Sequence, residues 1–440
     1  MGTIMRTFRF LFHLILLLLI PLLAHGEPLT MKEAVRRAVA GNPSVAEAQL
    51  GVASGEEGVK SAWGKNLPKL TLDANYTRRE HPLPYIIDAP LSPSNVHFTD
   101  EFASYNIVLT LPLYQGGQTM NGVDLAKVKK DLQRQGLSFT RNEIIANTVN
   151  TYNKILQLRK LREASQTSLK ALDEQYRNGQ LLFGVGRIAR VDLLKVEAQL
   201  ANERQRLISL DAGIATATAT LRTLMGEDEA ASSEAPIPAD TLTQAEVSGD
   251  FSSGLETARR QRPEFLSATQ GIKEADLNRK LAFGKLLPTV SAFTGYLDQF
   301  TLNPSYKEAN WYAGFNLSLP LFDRSLYADL SRQRIESERA TARLKAVGNQ
   351  VSLEIRSALN SLEESKARIG AAQQAVAEAN EAFRIEQERY KSGAGAVVDL
   401  LLAQSADISA AANYTQALYD YNAAAVAYRK ATGTLEEYLK

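Results

Sequence analysis

The chain has 440 residues, enough for a sizeable core or for two or three domains. Its 50 Lys and Arg stand against 49 Asp and Glu, a net charge of +1, so nothing in the balance argues for a nucleic-acid or acidic-lipid surface. The absence of Cys excludes disulfides, thiolate chemistry, Cys-based metal sites and an N-terminal lipid-modified cysteine, so any membrane attachment must come from the fold.

Residues 1–26 read as a cleavable export signal. Arg6 and Arg9 precede an apolar run from Phe10 to Ile20, Pro21 ends it, and Ala24-His25-Gly26 offers small residues for cleavage before Glu27. The run is shorter than the ~20 residues of a membrane helix, and no later stretch reaches ~18 consecutive apolar residues. A mature chain that sits in a membrane must therefore cross it with strands, which points to an outer membrane.

The rest of the chain is two copies of one unit, 27–226 and 251–440. AVAGNPSVAEAQ (38–49) followed by WGKNLPKLTLDANY (63–76) recurs as ARRQRPEFLSATQ (258–270) followed by FGKLLPTVSAFTGY (283–296). Pro43 and Pro263, Gly64 and Gly284, Pro68 and Pro288, and Tyr76 and Tyr296 are each 220 positions apart. LTLPLY (109–114) answers LSLPLF (317–322), YRNG (176–179) answers YKSG (390–393), VDLL (191–194) answers VDLL (398–401), and LMG (224–226) answers ATG (431–433). Between the copies, the acidic, Ala-, Ser- and Pro-rich stretch 227–250 reads as a linker or surface segment.

Each copy opens with a helix and continues with a β-hairpin, about 69–114 in the first and about 287–322 in the second. Tyr105, Ile107, Leu109, Leu111 and Leu113 alternate with Ser104, Asn106, Val108 and Thr110. Trp311, Ala313, Phe315, Leu317, Leu319 and Leu321 alternate with Tyr312, Gly314, Asn316, Ser318 and Pro320. A period of two gives a strand one apolar face. A preceding strand starts at Leu70 and at Val290, with Thr71, Asp73 and Asn75 on one face, and residues 80–100 and 299–309 read as loops.

A helix pair closes each copy, about 118–226 and about 325–431. The seam Val351, Ile355, Ala358, Leu362, Ser365, Ile369, Ala372, Val376, Ala379, Phe383, Glu386 and Tyr390 alternates spacings of four and three, the heptad of a coiled coil. Ala and Ser dominate it, so helix axes can approach closely. YKSGAG (390–395) breaks the helix, and Ala411, Tyr414, Leu418, Tyr421, Ala425 and Tyr428 carry the next one.

Two hairpins supply four strands, and a sheet crosses a bilayer only as a closed barrel. Because the smallest membrane barrels have about 8 strands, two or three protomers must share one barrel. The duplicated unit, the NP and RP helix breaks, the LPxL strand starts, the PLY and PLF strand ends and the Y-x-x-G…D-L-L turns together resemble the TolC-like outer-membrane efflux family over nearly the whole mature chain. The resemblance implies a mainly α fold with a small β part. Three protomers would build a twelve-stranded outer-membrane barrel continuous with a long periplasmic α-helical coiled-coil barrel. This passive exit duct would meet a periplasmic adaptor and an inner-membrane pump. Tyr105, Ile107, Leu109, Trp311, Phe315 and Leu317 would then face outer-membrane lipid, with Asn316 and Ser318 toward the lumen.

Asp399 and Asp192 each follow a turn and open a helix, a position where a carboxylate acts as N-cap. The resemblance places Asp399 at the periplasmic constriction, with Asp192 the lesser candidate. Leu402 stands where some family members carry a second acid, and Gly395 where some carry a latching base. Tyr176, Gly179, Tyr390 and Gly393 mark the turn ends, as packing and turn-forming residues and, by the resemblance, as contacts for the adaptor. FGVGRIA (183–189) matches a dinucleotide pattern, but it follows a helix and the second copy lacks it. His81, His97, Asp88 and Asp100 in the first hairpin read as a solvated loop rather than a metal site. No Ser-His-Asp set, P-loop or HExxH is present. No enzyme, cofactor, metal or nucleic acid is expected. A periplasmic coiled-coil adaptor, the main alternative, leaves both hairpins unexplained, and a secreted hydrolase lacks a catalytic set.

Overall fold

The computed structural model describes residues 29–86, 96–227, 238–247, 249–302 and 305–439. The export signal expected at 1–26 lies outside the described residues. In chain order the elements are α1 (Met31–Gly41), α2 (Pro43–Gly64), β1 (Lys69–Ile86), β2 (Val96–Gln115), α3 (Gln118–Gly184) and α4 (Arg190–Leu224). The second set is α5 (Phe251–Gln261), α6 (Pro263–Gly284), β3 (Thr289–Leu302), β4 (Ser305–Ser318), α7 (Arg324–Lys391) and α8 (Val397–Thr432), followed by a 3-10 turn, Leu435–Leu439.

The two long helices, α3 and α7, have 67 and 68 residues, about 100 Å each at 1.5 Å per residue. The Ala- and Ser-rich seam of α7 explains its partner. Val351, Ile355, Ala358, Leu362 and Ile369 are buried against Ala417, Leu418, Tyr421, Ala425 and Tyr428 of α8. In the first copy Ile144, Tyr152 and Ile155 of α3 meet Ala34, Val45, Leu221 and Met225. A third cluster joins the copies: Val35, Ile145 and Val149 pack with Val426 and Leu435.

Both copies break a helix at Pro, which fits at the first helical position because its missing N–H would have had no partner there. In the first copy the Asn42 side chain accepts from Ser44 N at 2.9 Å and donates to Leu224 O at 2.9 Å. In the second, Arg262 occupies the equivalent place and reaches Ala431 O at 3.4 Å. Gly226 turns with φ 73°, and a Cβ there would stand 2.1 Å from Gly41 O, so only glycine fits.

Sequence reading leaves 227–250 as a linker or surface segment, yet its described part is fastened to the helices. Ala239 N donates to Leu29 O at 3.1 Å, and Asp240 Oδ2 accepts from Met31 N at 2.8 Å and from Tyr152 Oη at 2.7 Å. Asn422 Oδ1 accepts from Ala245 N at 3.0 Å, and its Nδ2 donates to Thr243 O at 2.8 Å. These partners lie far away in sequence, which is why composition alone does not name them.

The four strands form one antiparallel sheet in the order β1-β2-β3-β4. Pairing runs on through residues whose side chains read as loop, as in Gln299↔Glu308 and Phe300↔Lys307, because the ladder joins backbones. The hairpins are therefore longer at that end than their side-chain pattern, while Asp88 falls outside the described residues. At the other end β4 stops at Ser318 before Pro320, short of the strand expected to 322. Asp323 then caps α7, accepting from Ser325 N at 2.8 Å. No described helix is long and apolar enough to cross a membrane.

Candidate functional site

The register decides which side chains share a face. Ile107 pairs with Leu72 and Tyr296, and Tyr296 with Trp311; one row on, Leu109 meets Leu70 and Thr294. Phe315 and Leu317 lie on this same face, as does Tyr105 opposite Asp298. Trp311, Phe315 and Leu317 are 78%, 76% and 68% exposed, so the chain leaves a broad apolar face without cover. The opposite face holds Asp73, Asn75, Ser104, Asn106, Asn310 and Asn316. There Tyr312 Oη donates to Asn106 Oδ1 at 2.8 Å. The sheet thus has the two unlike surfaces that its alternation predicts.

At the far end of the helices the chain reverses twice. Gly186, with φ 72°, turns α3 into α4, and Gly393, with φ 78°, turns α7 into α8. Gly179 is buried, and a Cβ there would press on Leu193 Cδ1 at 3.2 Å. Tyr176 is half-buried one turn earlier. Tyr390 is also half-buried, and its burial, together with the nearby Asp192 carboxylate, raises its hydroxyl pKa above the usual tyrosine value. A Cβ on Gly395 would stand 3.0 Å from Tyr390 N, a physical reason for glycine at this position.

The N-cap reading of the two aspartates does not hold. The cap positions are Ala189 and Ala396, neither helix has a side-chain cap, and Asp192 and Asp399 lie inside the first turn. From there each carboxylate still favours the positive end of its helix dipole. Asp192 also pairs with Lys195 Nζ at 3.3 Å, whereas Asp399 is exposed. The FGVGRIA stretch forms the end of α3 and its turn, with no strand before it. Among the described residues no cluster of His, Asp and Glu could hold a metal ion.

Residues 34–227 and 254–434 match the profile of the outer membrane efflux proteins. The chain belongs to that family. It is 25% identical to the outer membrane efflux protein BepC of Brucella suis over 413 residues, 92% of this chain and 86% of that one. It is 24% identical to the outer membrane protein TolC of Vibrio cholerae over 389 residues, 87% of this chain and 85% of that one. The fold is that of the Campylobacter jejuni CmeC outer membrane channel, with a TM-score of 0.81 at 19% identity over 92% of this chain and 85% of that chain.

As an outer membrane efflux protein, the chain resides in the outer membrane with a helical extension into the periplasm. The family forms channels and is not a family of enzymes. A periplasmic adaptor without a membrane sheet is thereby set aside. Two features of this member escape pattern reading. Asp298 is a fully buried carboxylate on the apolar face, bonded to Tyr105 Oη at 2.6 Å and Lys307 Nζ at 3.0 Å. Its signal was a single acid between Tyr296 and Phe300. Arg262 is a nearly buried guanidinium held by Glu354 at 2.6 Å and Glu264 at 3.0 Å. The repeat alignment exposes it, because its counterpart is Asn42.

Proposed function

We propose that three copies of this chain close one twelve-stranded barrel and form a passive exit duct for an efflux or secretion system. One observation carries the reading: in a four-stranded sheet with an apolar face, β1 and β4 each pair on one side only. Open edges cannot persist in lipid, so β4 of one copy pairs with β1 of the next until the ring closes. The exposed residues beside those edges suit the same contact, with Leu50, Trp63 and Leu67 on one flank and Phe322, Tyr327 and Ile335 on the other. The long helices continue the ring as a tube, and the polar face with Asn106 and Asn316 lines the lumen.

At the periplasmic end Asp399 is the acid we place at the constriction, with Asp192 behind it. Three exposed carboxylates gathered around an axis attract multivalent cations. The turn ends at Tyr176, Gly179, Tyr390 and Gly393, beside exposed Leu181, Val185 and Leu402, offer an apolar rim to a periplasmic adaptor, which links the duct to an inner-membrane pump. Mass measurement in mild detergent tests the assembly, and planar-bilayer conductance tests the duct. A trimer that conducts is expected. A soluble monomer, or a trimer that never conducts, would overturn the reading.

A further inference from the structure

The apolar face of the sheet carries a feature that closing a barrel does not require. Tyr105, Tyr296 and Trp311 form a row of rings, with centroids 6.2 Å apart for the first pair and 5.0 Å for the second. Against this row opens a cavity of about 370 Å³ whose walls include Leu70, Ile107, Leu109, Tyr296 and Trp311. Farther along the strands Lys307 leans back to Asp298, Nζ to Oδ2 at 3.0 Å, while its side chain stays 66% exposed. An ammonium has three N–H groups, so donors remain after this bond. Asp298 Oδ1 is buried without a hydrogen-bond partner. A buried carboxylate is costly on an apolar face, and well-packed apolar residues would often be at least as stable. The pair's geometry has a use, since it holds a cation above an apolar cavity.

The distances match one leaflet. The helices join the sheet at Gln115, Thr289 and Ser318, so the Lys307 end is the end away from the periplasm. From Trp311 to Lys307 is four residues, ~13 Å at about 3.3 Å per residue. Half of a hydrocarbon core is ~15 Å. A lipid of the outer leaflet, chains inward and headgroup outward, would span from the cavity to the ammonium.

We propose that each protomer binds one phosphate-bearing lipid of the outer leaflet, an acyl chain filling the cavity beside Trp311 and the headgroup phosphate taking the free N–H groups of Lys307. Asp298 and Tyr105 position the ammonium. The proposal rests on the barrel reading, which fixes this face as the outer one.

Native mass spectrometry of the full chain in mild detergent tests it, with diphosphorylated lipid A, diacylglycerol and inorganic phosphate as probes. Lipid A should saturate at one per chain, with diacylglycerol and inorganic phosphate far weaker. Lys307→Gln should weaken lipid A binding roughly tenfold or more, as expected for loss of a charged hydrogen bond, and Lys307→Arg should retain it. Because Lys307→Gln leaves Asp298 without its cation, the double variant Asp298→Asn with Lys307→Gln keeps the pair neutral and should lose lipid A while remaining assembled. Trp311→Ala should weaken lipid A and diacylglycerol alike. The proposal is overturned if the double variant binds lipid A as the unaltered chain does. It also fails if diacylglycerol binds equally, or if inorganic phosphate binds as tightly as lipid A, which would mark a free-anion site. The same spectra separate the two ideas: a trimer that retains no lipid A defeats this proposal alone, and a monomer defeats the barrel as well.

Discussion

Replacing Arg262 by Ala should open the joint between α6 and α8. The guanidinium is 6% exposed, bonds Glu354 at 2.6 Å and Glu264 at 3.0 Å, and reaches the Ala431 carbonyl at 3.4 Å. Breaking a buried ion pair costs about 3–5 kcal/mol when the orphaned partner stays dry. Here Glu264 and Glu354 are 31% and 36% exposed, so water can reach them and the loss falls to roughly 2–3 kcal/mol. The long carbonyl contact adds about 0.5 kcal/mol. A loss of about 3 kcal/mol corresponds to local exchange faster by roughly 150-fold. Hydrogen exchange of the detergent-solubilised protein, read at Leu266, Gly433 and Thr434, measures it. Adding Glu354→Gln to Arg262→Ala removes one uncompensated carboxylate, so the double variant should exchange more slowly than Arg262→Ala alone. Exchange within about threefold of the unaltered protein, or strictly additive losses, would refute the account.

Three further outcomes follow from the geometry. Ala313→Lys or Trp311→Lys, on the apolar face at mid-strand, should cost about 2–4 kcal/mol near the middle of the bilayer and reduce the yield of assembled trimer, whereas Asn316→Lys should assemble and change conductance; equal sensitivity would count against a barrel wall. Asp399→Asn should weaken block by multivalent cations added on the periplasmic side of a planar bilayer, more than Asp192→Asn does, and unchanged block in Asp399→Asn would remove it from the constriction. Burial, and then the Asp240 carboxylate, raise the Tyr152 hydroxyl above its ordinary value of 10.0, so the folded chain keeps that proton where the unfolded chain releases it. Its contribution is therefore full below that value and lost as pH rises further, and Tyr152→Phe should flatten the fall in denaturation midpoint above about pH 10.

The fold was legible wherever a repeated local pattern carried it. The duplicated order of Pro43 and Pro263, Gly64 and Gly284, and Tyr76 and Tyr296 revealed two copies, and the seam from Val351 to Ile369 foretold the face that α7 buries. The candidate site was legible only in outline. Alternation grouped Trp311, Phe315 and Leu317, but not their neighbours across the sheet.

Periodicity along the chain, a property of covalent order and backbone geometry, by itself determined the helices, the strands, their apolar faces and the duplication. Only the tertiary structure decided the joints, because those contacts lie between residues far apart in sequence. It bound residues 238–247 to Met31, Tyr152 and Asn422, and set Tyr296 between Ile107 and Trp311. It moved Asp192 and Asp399 off the cap positions and brought Lys307 to Asp298 above an apolar cavity. Register and side-chain reach place such groups together, and no one-dimensional pattern encodes either.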